Sequence, residues 1–118
     1  MVQVNLAGYV EHPNVAAFLR VIRAGESSQD PSAYWTMFGG KLADSLADHP
    51  RQKNSAAGLT STAAGAYQFL SKTWDECAKS LDLPDFGPAS QDLAAVFLIK
   101  RRGALDDVLA GRIEQAIS

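Results

Sequence analysis

The sequence predicts an α+β fold that is mainly helical and carries one small β-hairpin. Two observations indicate this class: apolar residues recur at helical spacing in several segments, and a short aromatic run ends in a pair of glycines in the first third of the chain. With 118 residues, the chain is long enough to bury one core. We therefore expect a single domain over residues 1–118, in which residues 1–12 form an N-terminal arm.

The first helix is predicted from a stripe of apolar side chains. Val15, Phe18 and Ile22 follow one another at three- and four-residue spacing, which is typical of an amphipathic helix over residues 14–26. Pro13 stands at the expected start of this helix, a position at which proline is tolerated.

Further helices are predicted in the second half of the chain. Apolar spacing indicates a helix over residues 67–81, and Ser90 is the expected N-cap of a helix over residues 91–101. The latter contains seven consecutive apolar residues and should be the buried central helix. Two short helical pieces are expected near residues 104–110 and 112–118.

The sheet is predicted from an aromatic and β-branched run. Residues 34–38 should form a short strand that leads into a turn at Gly39 and Gly40. Residues 43–66 are rich in small and polar residues, which favours a loop with at most a second short strand. A loop of this length inside a small domain is usually functional.

Composition excludes several classes of function. The net charge is −2, from 11 basic and 13 acidic residues, so no nucleic-acid partner is expected. Cys77 is the only cysteine and should be a buried thiol. His12 and His49 are far apart in sequence, and neither has a second ligand at metal spacing, so we expect no metal and no cofactor.

The chain carries no signal for membrane insertion or secretion. It contains no run of 18 apolar residues, so stable membrane insertion is not expected. The N-terminus lacks the basic and apolar regions of a secretory signal peptide. The protein should accumulate in the cytosol unless other machinery exports it.

Glu26 is the residue to which the sequence most directly assigns chemistry. Leu19, Ile22 and Glu26 are spaced by three and four residues, so they should share the buried face of the first helix. Burial and the negative end of the helix both disfavour a charged carboxylate and would raise its pKa, as a general acid near neutral pH requires. A solvated glutamate after Gly25 is the alternative.

The order of short motifs along the chain closely resembles the lambda-type phage endolysins, a lytic transglycosylase family with a lysozyme-like fold. The resemblance covers roughly residues 15 to 117. The segments that carry it are 25–31, the Gly39-Gly40 pair, the Asp48-His49-Pro50-Arg51 turn, 61–69, 74–75, 85–86, 90–92 and 102–105.

The resemblance implies roles for individual residues. Glu26 falls on the catalytic glutamate, residues 34–40 look like one lip of the glycan cleft, and residues 61–68 look like its floor. On an alternating strand only one of Tyr34 and Trp35 can face a sugar ring. The Asp-His-Pro-Arg turn is open to two interpretations: it stabilises the local structure, or it binds substrate. The candidate substrate-binding residues are Tyr34, Trp35, Phe38, Asp48, Arg51, Ser61, Thr62, Tyr67 and Gln68.

The resemblance also implies a mechanism that needs one carboxylate. Glu26 would protonate the glycosidic oxygen of the MurNAc–GlcNAc bond of peptidoglycan and then accept a proton from the 6-hydroxyl of the sugar, which gives a 1,6-anhydro product. A hydrolytic muramidase, which needs a second carboxylate, stays open, with Asp30, Asp44 or Asp48 as candidates. A truncated, inactive glycan-binding or virion domain is the third interpretation.

The sequence departs from the family in lacking its C-terminal segment, which closes the opposite lip of the cleft. The cleft would then be incomplete and the first helix would expose apolar surface. A dimer or a domain exchange could supply the missing wall. The family also implies synthesis in the host cytoplasm and action in the periplasm after holin release, or a place in the virion.

Overall fold

A computed structural model describes residues 6–117 of the chain. The helices surround one core, and a two-stranded antiparallel hairpin stands apart from them. In chain order the elements are α1 (Leu6–Val10), α2 (Pro13–Glu26), a 3₁₀-helix (Pro31–Trp35), β1 (Asn54–Ala56), β2 (Leu59–Ser61), α3 (Ser71–Leu81), α4 (Pro88–Arg101), α5 (Leu105–Leu109) and α6 (Ile113–Ile117).

Helix α2 confirms the first predicted helix. It begins at Pro13, and the ring nitrogen Nδ1 of His12 accepts a hydrogen bond from the backbone N–H of Asn14 at 3.1 Å. Such a bond satisfies one of the N–H groups that have no partner within the helix. The apolar stripe buries Val15 and Phe18 completely or nearly so, at 0% and 1% exposed.

Helix α4 is the buried central helix, as predicted, but Ser90 is not its N-cap. The helix begins at Pro88, and Ser90 lies within its first turn. The carboxylate of Asp85 accepts hydrogen bonds from the backbone of Gly87 and the hydroxyl of Ser90, both at 2.9 Å. The N-cap is Gly87, and Asp85 holds the start of the helix through these two bonds. Pro88 fits the first helical position because its missing N–H needs no partner there.

Helix α3 begins at Ser71, four residues later than predicted. The preceding residues form a turn, in which Gln68 has a φ of +52° and Ala64 pairs with Phe69 in an isolated β-bridge. The hydroxyl of Thr62 accepts a hydrogen bond from the backbone N–H of Ser71 at 3.1 Å and so caps the helix. Periodicity cannot distinguish such an apolar turn from a first helical turn.

The segment expected to be a strand, residues 34–38, is mostly not one. Asp30 accepts a hydrogen bond from the backbone of Ser32 at 2.9 Å and starts the 3₁₀-helix that includes Tyr34 and Trp35. Only the residues after this helix make isolated bridges, Thr36 with Leu42 and Met37 with Ala64. The local cap at Asp30 followed by Pro31 overrides the β propensity of the aromatic residues.

The hairpin lies instead within the stretch predicted to be a loop. Strands β1 and β2 pair in antiparallel register, with Ser55 opposite Thr60. Their turn places Ala57 and Gly58 at positive φ, +53° and +80°. Two consecutive positive φ angles are the requirement of the tightest hairpin turns, which the Ala-Gly pair signals only weakly.

Aromatic side chains form the centre of the core. The rings of Trp74 and Phe86 meet edge to face, with centroids 4.7 Å apart. Trp74 and Cys77 are 1% and 0% exposed, as predicted. Residues of the expected N-terminal arm also join the core, because α1 packs on α4 and buries Leu6.

The turn that contains Asp48 and Arg51 is fastened to the rest of the fold at two points. The guanidinium of Arg51 lies 3.2 Å from a carboxylate oxygen of Asp48 and 2.5 Å from one of Asp75 on α3. His49 is 3% exposed; its Nδ1 accepts the backbone N–H of Arg51, and its Nε2 lies 2.8 Å from the carbonyl of Phe69. Since an acceptor nitrogen is unprotonated, the buried imidazole is neutral and donates from Nε2.

Removal of His49 should abolish one pH dependence of folding stability. Burial lowers the pKa of His49 below its ordinary value of 6.5. The unfolded chain therefore binds a proton near pH 6.5 that the folded chain does not, and stability falls as the pH drops below 6.5 until the folded-state pKa is passed. Urea unfolding between pH 7.5 and about 5 measures this slope. We expect His49→Gln to flatten it.

The matched control for the loss of a histidine is His12→Asn, which keeps a capping side chain at the start of α2. Equal slopes in the two variants would contradict the assignment of the slope to His49.

Candidate functional site

Glu26 is the last residue of α2, and its side chain is exposed. The expectation that it shares the buried face of the helix is wrong. The residues that α2 buries are Val15, Phe18 and Leu19, whereas Ile22 is half-buried and the final turn extends beyond the core. The periodic stripe is real, but at its C-terminal end Gly25 and Glu26 are exposed.

The carboxylate of Glu26 borders a surface depression of about 460 Å³ with mainly apolar walls. Ile22 lines both this depression and a second one of about 210 Å³. Leu70 in turn lines the second depression and a third, beside the hairpin, of about 340 Å³. We call these three depressions, which share Ile22 and Leu70 as lining residues, the groove. Their lining residues extend from the end of α2 through residues 67–70 to the hairpin.

Glu26 is the single acidic residue among the described residues that line the groove. The carboxylates considered as a second catalytic group lie elsewhere. Asp30 caps the 3₁₀-helix, and Asp44 and Asp48 line a separate depression formed by the segment from Met37 to Gln52. The groove therefore offers one carboxylate for chemistry.

Four of the predicted sugar-binding residues line the groove. Ser61 and Thr62 border the depression beside the hairpin, and Tyr67 and Gln68 border the middle one. The hydroxyls of Ser61 and Thr62 each accept one backbone N–H, from Ala63 and Ser71 respectively, and keep their own O–H to donate. The Nε2 of Gln68 donates to backbone carbonyls, which leaves its carbonyl oxygen as an acceptor.

The hydroxyls of Tyr34 and Tyr67 point into the protein. Both donate to the same carboxylate oxygen of Asp92 on α4, at 2.8 and 2.6 Å. The hydroxyl of Tyr67 also accepts a hydrogen bond from the guanidinium of Arg23 at 2.8 Å. Burial, followed by the hydrogen bond to Asp92 and its negative charge, raises the pKa of both tyrosines. The phenols therefore stay protonated and are satisfied within the fold.

The turn at Gly65 and Ala66 is held by the side chain of Gln91, which is 0% exposed. Its Oε1 accepts the backbone N–H of Ala66 at 2.9 Å, and its Nε2 donates to the carbonyls of Tyr34 at 2.9 Å and Phe86 at 2.7 Å. Two of these bonds, to Ala66 and Tyr34, span 25 and 57 residues of chain. The floor of the groove is thus fixed from below by one buried amide.

The remaining predicted residues lie around this arrangement. Trp35 is 38% exposed, and Phe38 is half-buried and donates its backbone N–H to the carbonyl of Ala63. Asp48 and Arg51 are exposed and form the ion pairs that tie their turn to α3. These contacts support the structural interpretation of the Asp-His-Pro-Arg turn, and they leave substrate binding at Asp48 and Arg51 a prediction.

Sequence reasoning missed the residues that organise the site from within. Gln91 and Asp92 belong to a motif that carried the family resemblance, yet no role followed from it. Nothing in the sequence singles out Arg23, because an arginine in an amphipathic helix is usually solvated. The available signal was the polar pair Gln91 and Asp92 at the start of the central helix, because polar groups that become buried need partners.

The described residues, 6–117, contain neither a metal-binding cluster nor a membrane-spanning helix. No group of three or more His, Cys, Asp or Glu side chains in this part of the chain could hold a metal ion. No helix within it is long and apolar enough to cross a membrane.

Comparison with solved structures identifies the fold. Bacteriophage lambda lysozyme matches with a TM-score of 0.81 and 37% identity, over 99% of this chain and 76% of that one. The structure of the same enzyme in complex with a chitohexasaccharide matches with a TM-score of 0.81 and 38% identity, over the same shares. The chain therefore has the fold of lambda lysozyme, and it is shorter than that protein.

Sequence comparison places the chain in a family. The family model described as Endolysin matches residues 16–118. The endolysin of Escherichia phage P2 is 41% identical over 91% of this chain and 74% of its own length. The endolysin of Escherichia phage lambda is 47% identical over 71% of this chain and 54% of its own length. The chain belongs to the endolysin family.

Substitution of Gly65 by alanine should destabilise the fold more than the same change at Gly103. Both glycines have positive φ, +87° and +84°, so both substitutions cost about 1–2 kcal/mol for the left-handed backbone. A Cβ at Gly65 would also lie 2.8 Å from Cζ of Phe86 and 2.9 Å from Cδ of Gln91, whereas none of the described atoms lies within 4 Å of one at Gly103.

Overpacking of this kind adds about 1–3 kcal/mol. Denaturant unfolding of Gly65→Ala and Gly103→Ala measures the difference directly. Equal losses in the two variants would show that the contact of Gly65 with Gln91 does not constrain the turn.

Proposed function

We propose that this protein is a lytic transglycosylase that cleaves the MurNAc–GlcNAc bond of bacterial peptidoglycan, with Glu26 as its general acid and base. The observation that carries the proposal is the groove, to which Glu26 contributes the one carboxylate among the described lining residues. Membership of the endolysin family supports the substrate class. The complex of lambda lysozyme with a chitohexasaccharide supports a glycan as the ligand of this fold.

A single carboxylate favours transglycosylation over hydrolysis. A hydrolase of the common kind needs one carboxyl as acid and a second as base or nucleophile across the scissile bond. Asp30, Asp44 and Asp48 are the sequence candidates for the second, and they lie at the 3₁₀-helix cap and in the separate depression. The nucleophile can instead come from the substrate.

The proposed reaction uses Glu26 twice. In its protonated form it donates a proton to the glycosidic oxygen as the bond to the anomeric carbon of MurNAc breaks. As a carboxylate it then accepts the proton of the 6-hydroxyl of MurNAc, whose oxygen bonds to that carbon. The products are a glycan with a new GlcNAc end and one with a 1,6-anhydro end, and no water is consumed.

The rest of the groove would bind the flanking sugars. Ser61, Thr62 and Gln68 present hydroxyl and amide groups along it that can pair with sugar hydroxyls and acetamido groups. Trp35 lies outside the described residues that line the groove, but its exposed ring suits the C–H face of a sugar. We infer that the glycan lies along the groove, with the bond to be cleaved at Glu26.

Glu26→Gln should abolish release of glycan fragments from purified sacculi while leaving the fold intact. Glutamine cannot donate or accept the proton, and loss of the acid–base group costs about a hundredfold to ten-thousandfold in rate. Mass spectrometry of the fragments from the wild-type protein should show 1,6-anhydro ends, one water lighter than hydrolysed ends. Glu11→Gln, at an exposed position outside the groove, is the matched control.

Each alternative has its own outcome in this experiment. Fragments that have gained water identify a muramidase. Equal lysis by the wild type and Glu26→Gln excludes Glu26 as the acid. Glycan binding without any cleavage by the folded wild type identifies a binding domain.

A further inference from the structure

Arg23 and Glu26 are three residues apart on α2, so their side chains leave neighbouring parts of the same helix end. The last turn of a helix frays easily, since its carbonyl groups lack partners within the helix. This turn also contains Gly25, which is exposed, makes no close contact at the site of a Cβ and weakens a helix interior by about 0.5–1 kcal/mol relative to alanine. A glutamate that must meet a glycosidic oxygen would be poorly placed on such a turn without further support.

Support comes from contacts on both sides of Glu26. Before it, the guanidinium of Arg23 donates to the hydroxyl of Tyr67 at 2.8 Å. After it, the hydroxyl of Ser27 donates to the carbonyl of Ala66 at 2.7 Å. Within the helix, the backbone N–H of Ser27 donates to the carbonyl of Arg23 at 2.8 Å. The turn that carries Glu26 is thereby fastened to the floor of the groove.

The Arg23 contact also continues into α4. The hydroxyl of Tyr67 in turn donates a hydrogen bond to a carboxylate oxygen of Asp92 at 2.6 Å, and the hydroxyl of Tyr34 donates to the same oxygen. The guanidinium carbon lies 5.9 Å from the ring centre of Tyr67 and 6.0 Å from that of Tyr34, at the limit of a cation–π contact. Arg23 is thus linked to the half-buried carboxylate of Asp92 through the hydroxyl of Tyr67.

We propose that Arg23 is a positioning residue for Glu26. Through Tyr67 and Asp92 it joins the last turn of α2 to the central helix, and this connection sets where the Glu26 carboxyl lies in the groove. The inference rests on the proposed role of Glu26. It assigns to Tyr67 a part in the alignment of the acid, rather than a hydrogen bond to sugar.

The variants that test this are Arg23→Met, Tyr67→Phe and both together, with Arg20→Met as the matched control. Arg20 is exposed and one turn earlier on α2, so its loss removes the same charge without touching the Tyr67 contact. Steady-state kinetics on solubilised glycan strands should show kcat of Arg23→Met lowered about tenfold or more, because misplacement of a catalytic group by an ångström costs up to about a hundredfold.

The pattern of effects separates alignment from other roles. KM should stay unchanged, since Arg23 does not touch the substrate. The double variant should lose little more than Arg23→Met alone, because the two residues act through one hydrogen bond. Arg23→Lys should recover part of the rate, since an ammonium can donate to the Tyr67 hydroxyl but lacks the planar guanidinium. Arg20→Met should match the wild type.

A second measurement does not depend on activity. The backbone N–H of Ser27 closes the last hydrogen bond of α2, so its hydrogen exchange reports how firmly the Glu26 turn is held. We expect exchange at Ser27 to be faster in Arg23→Met and Tyr67→Phe than in the wild type and Arg20→Met.

Several results would overturn the inference. A raised KM at constant kcat would make Arg23 a substrate contact, and kinetics equal to those of Arg20→Met would remove any special role. Should the wild type release no fragments, unchanged exchange at Ser27 would refute the positioning role by itself. Fragments that have gained water would refute transglycosylation alone, and Arg23 would still be judged by its effect on kcat.

Discussion

The buried amide of Gln91 is the interaction on which the architecture of the site depends. It joins the turn at Ala66, the end of the 3₁₀-helix at Tyr34 and the loop at Phe86 to the first turns of α4. A buried polar group that loses its partners costs about 1–3 kcal/mol each, so none of these segments can move away independently. The amide also explains the glycine at position 65, because a Cβ there would occupy the space of the Gln91 side chain.

Two layers of polar groups follow from this arrangement. Beneath the groove, Asp92 accepts hydrogen bonds from the two tyrosine hydroxyls, and Gln91 binds three backbone groups. These bonds fix segments of the chain. At its surface, Glu26, Ser61, Thr62 and Gln68 keep hydrogen-bonding capacity for a ligand. Arg23 belongs to both layers, since its backbone lies in the helix turn that carries Glu26 and its guanidinium binds the buried network.

The sequence predicted those features that depend on the apolar pattern, and missed those that depend on local turns or on contacts between distant residues. Helix α2 follows from apolar spacing and α4 from a continuous apolar run, whereas the start of α3 and the position of the hairpin depend on local turns at Gln68 and Gly58. The sequence identified Glu26 as a candidate catalytic residue, but the prediction that its side chain is buried was wrong. A stripe of apolar residues on a helix does not show where the elements that cover it end. The contacts of Gln91 span up to 57 residues of chain and leave no local pattern.

The exposure of Glu26 is consistent with a mechanism in which the main task of the protein is to hold the Glu26 carboxyl in the correct position. On the proposed route the substrate supplies the nucleophile, so no second carboxylate has to be held across the bond and no water has to be activated. The protein must instead keep one carboxyl within hydrogen-bonding reach of two oxygens in succession, first the glycosidic oxygen and then the 6-hydroxyl. The protein can hold the carboxyl in place by making the end of α2 rigid. The hydrogen bonds of Arg23 to Tyr67 and of Ser27 to Ala66 restrain this end on either side of Glu26.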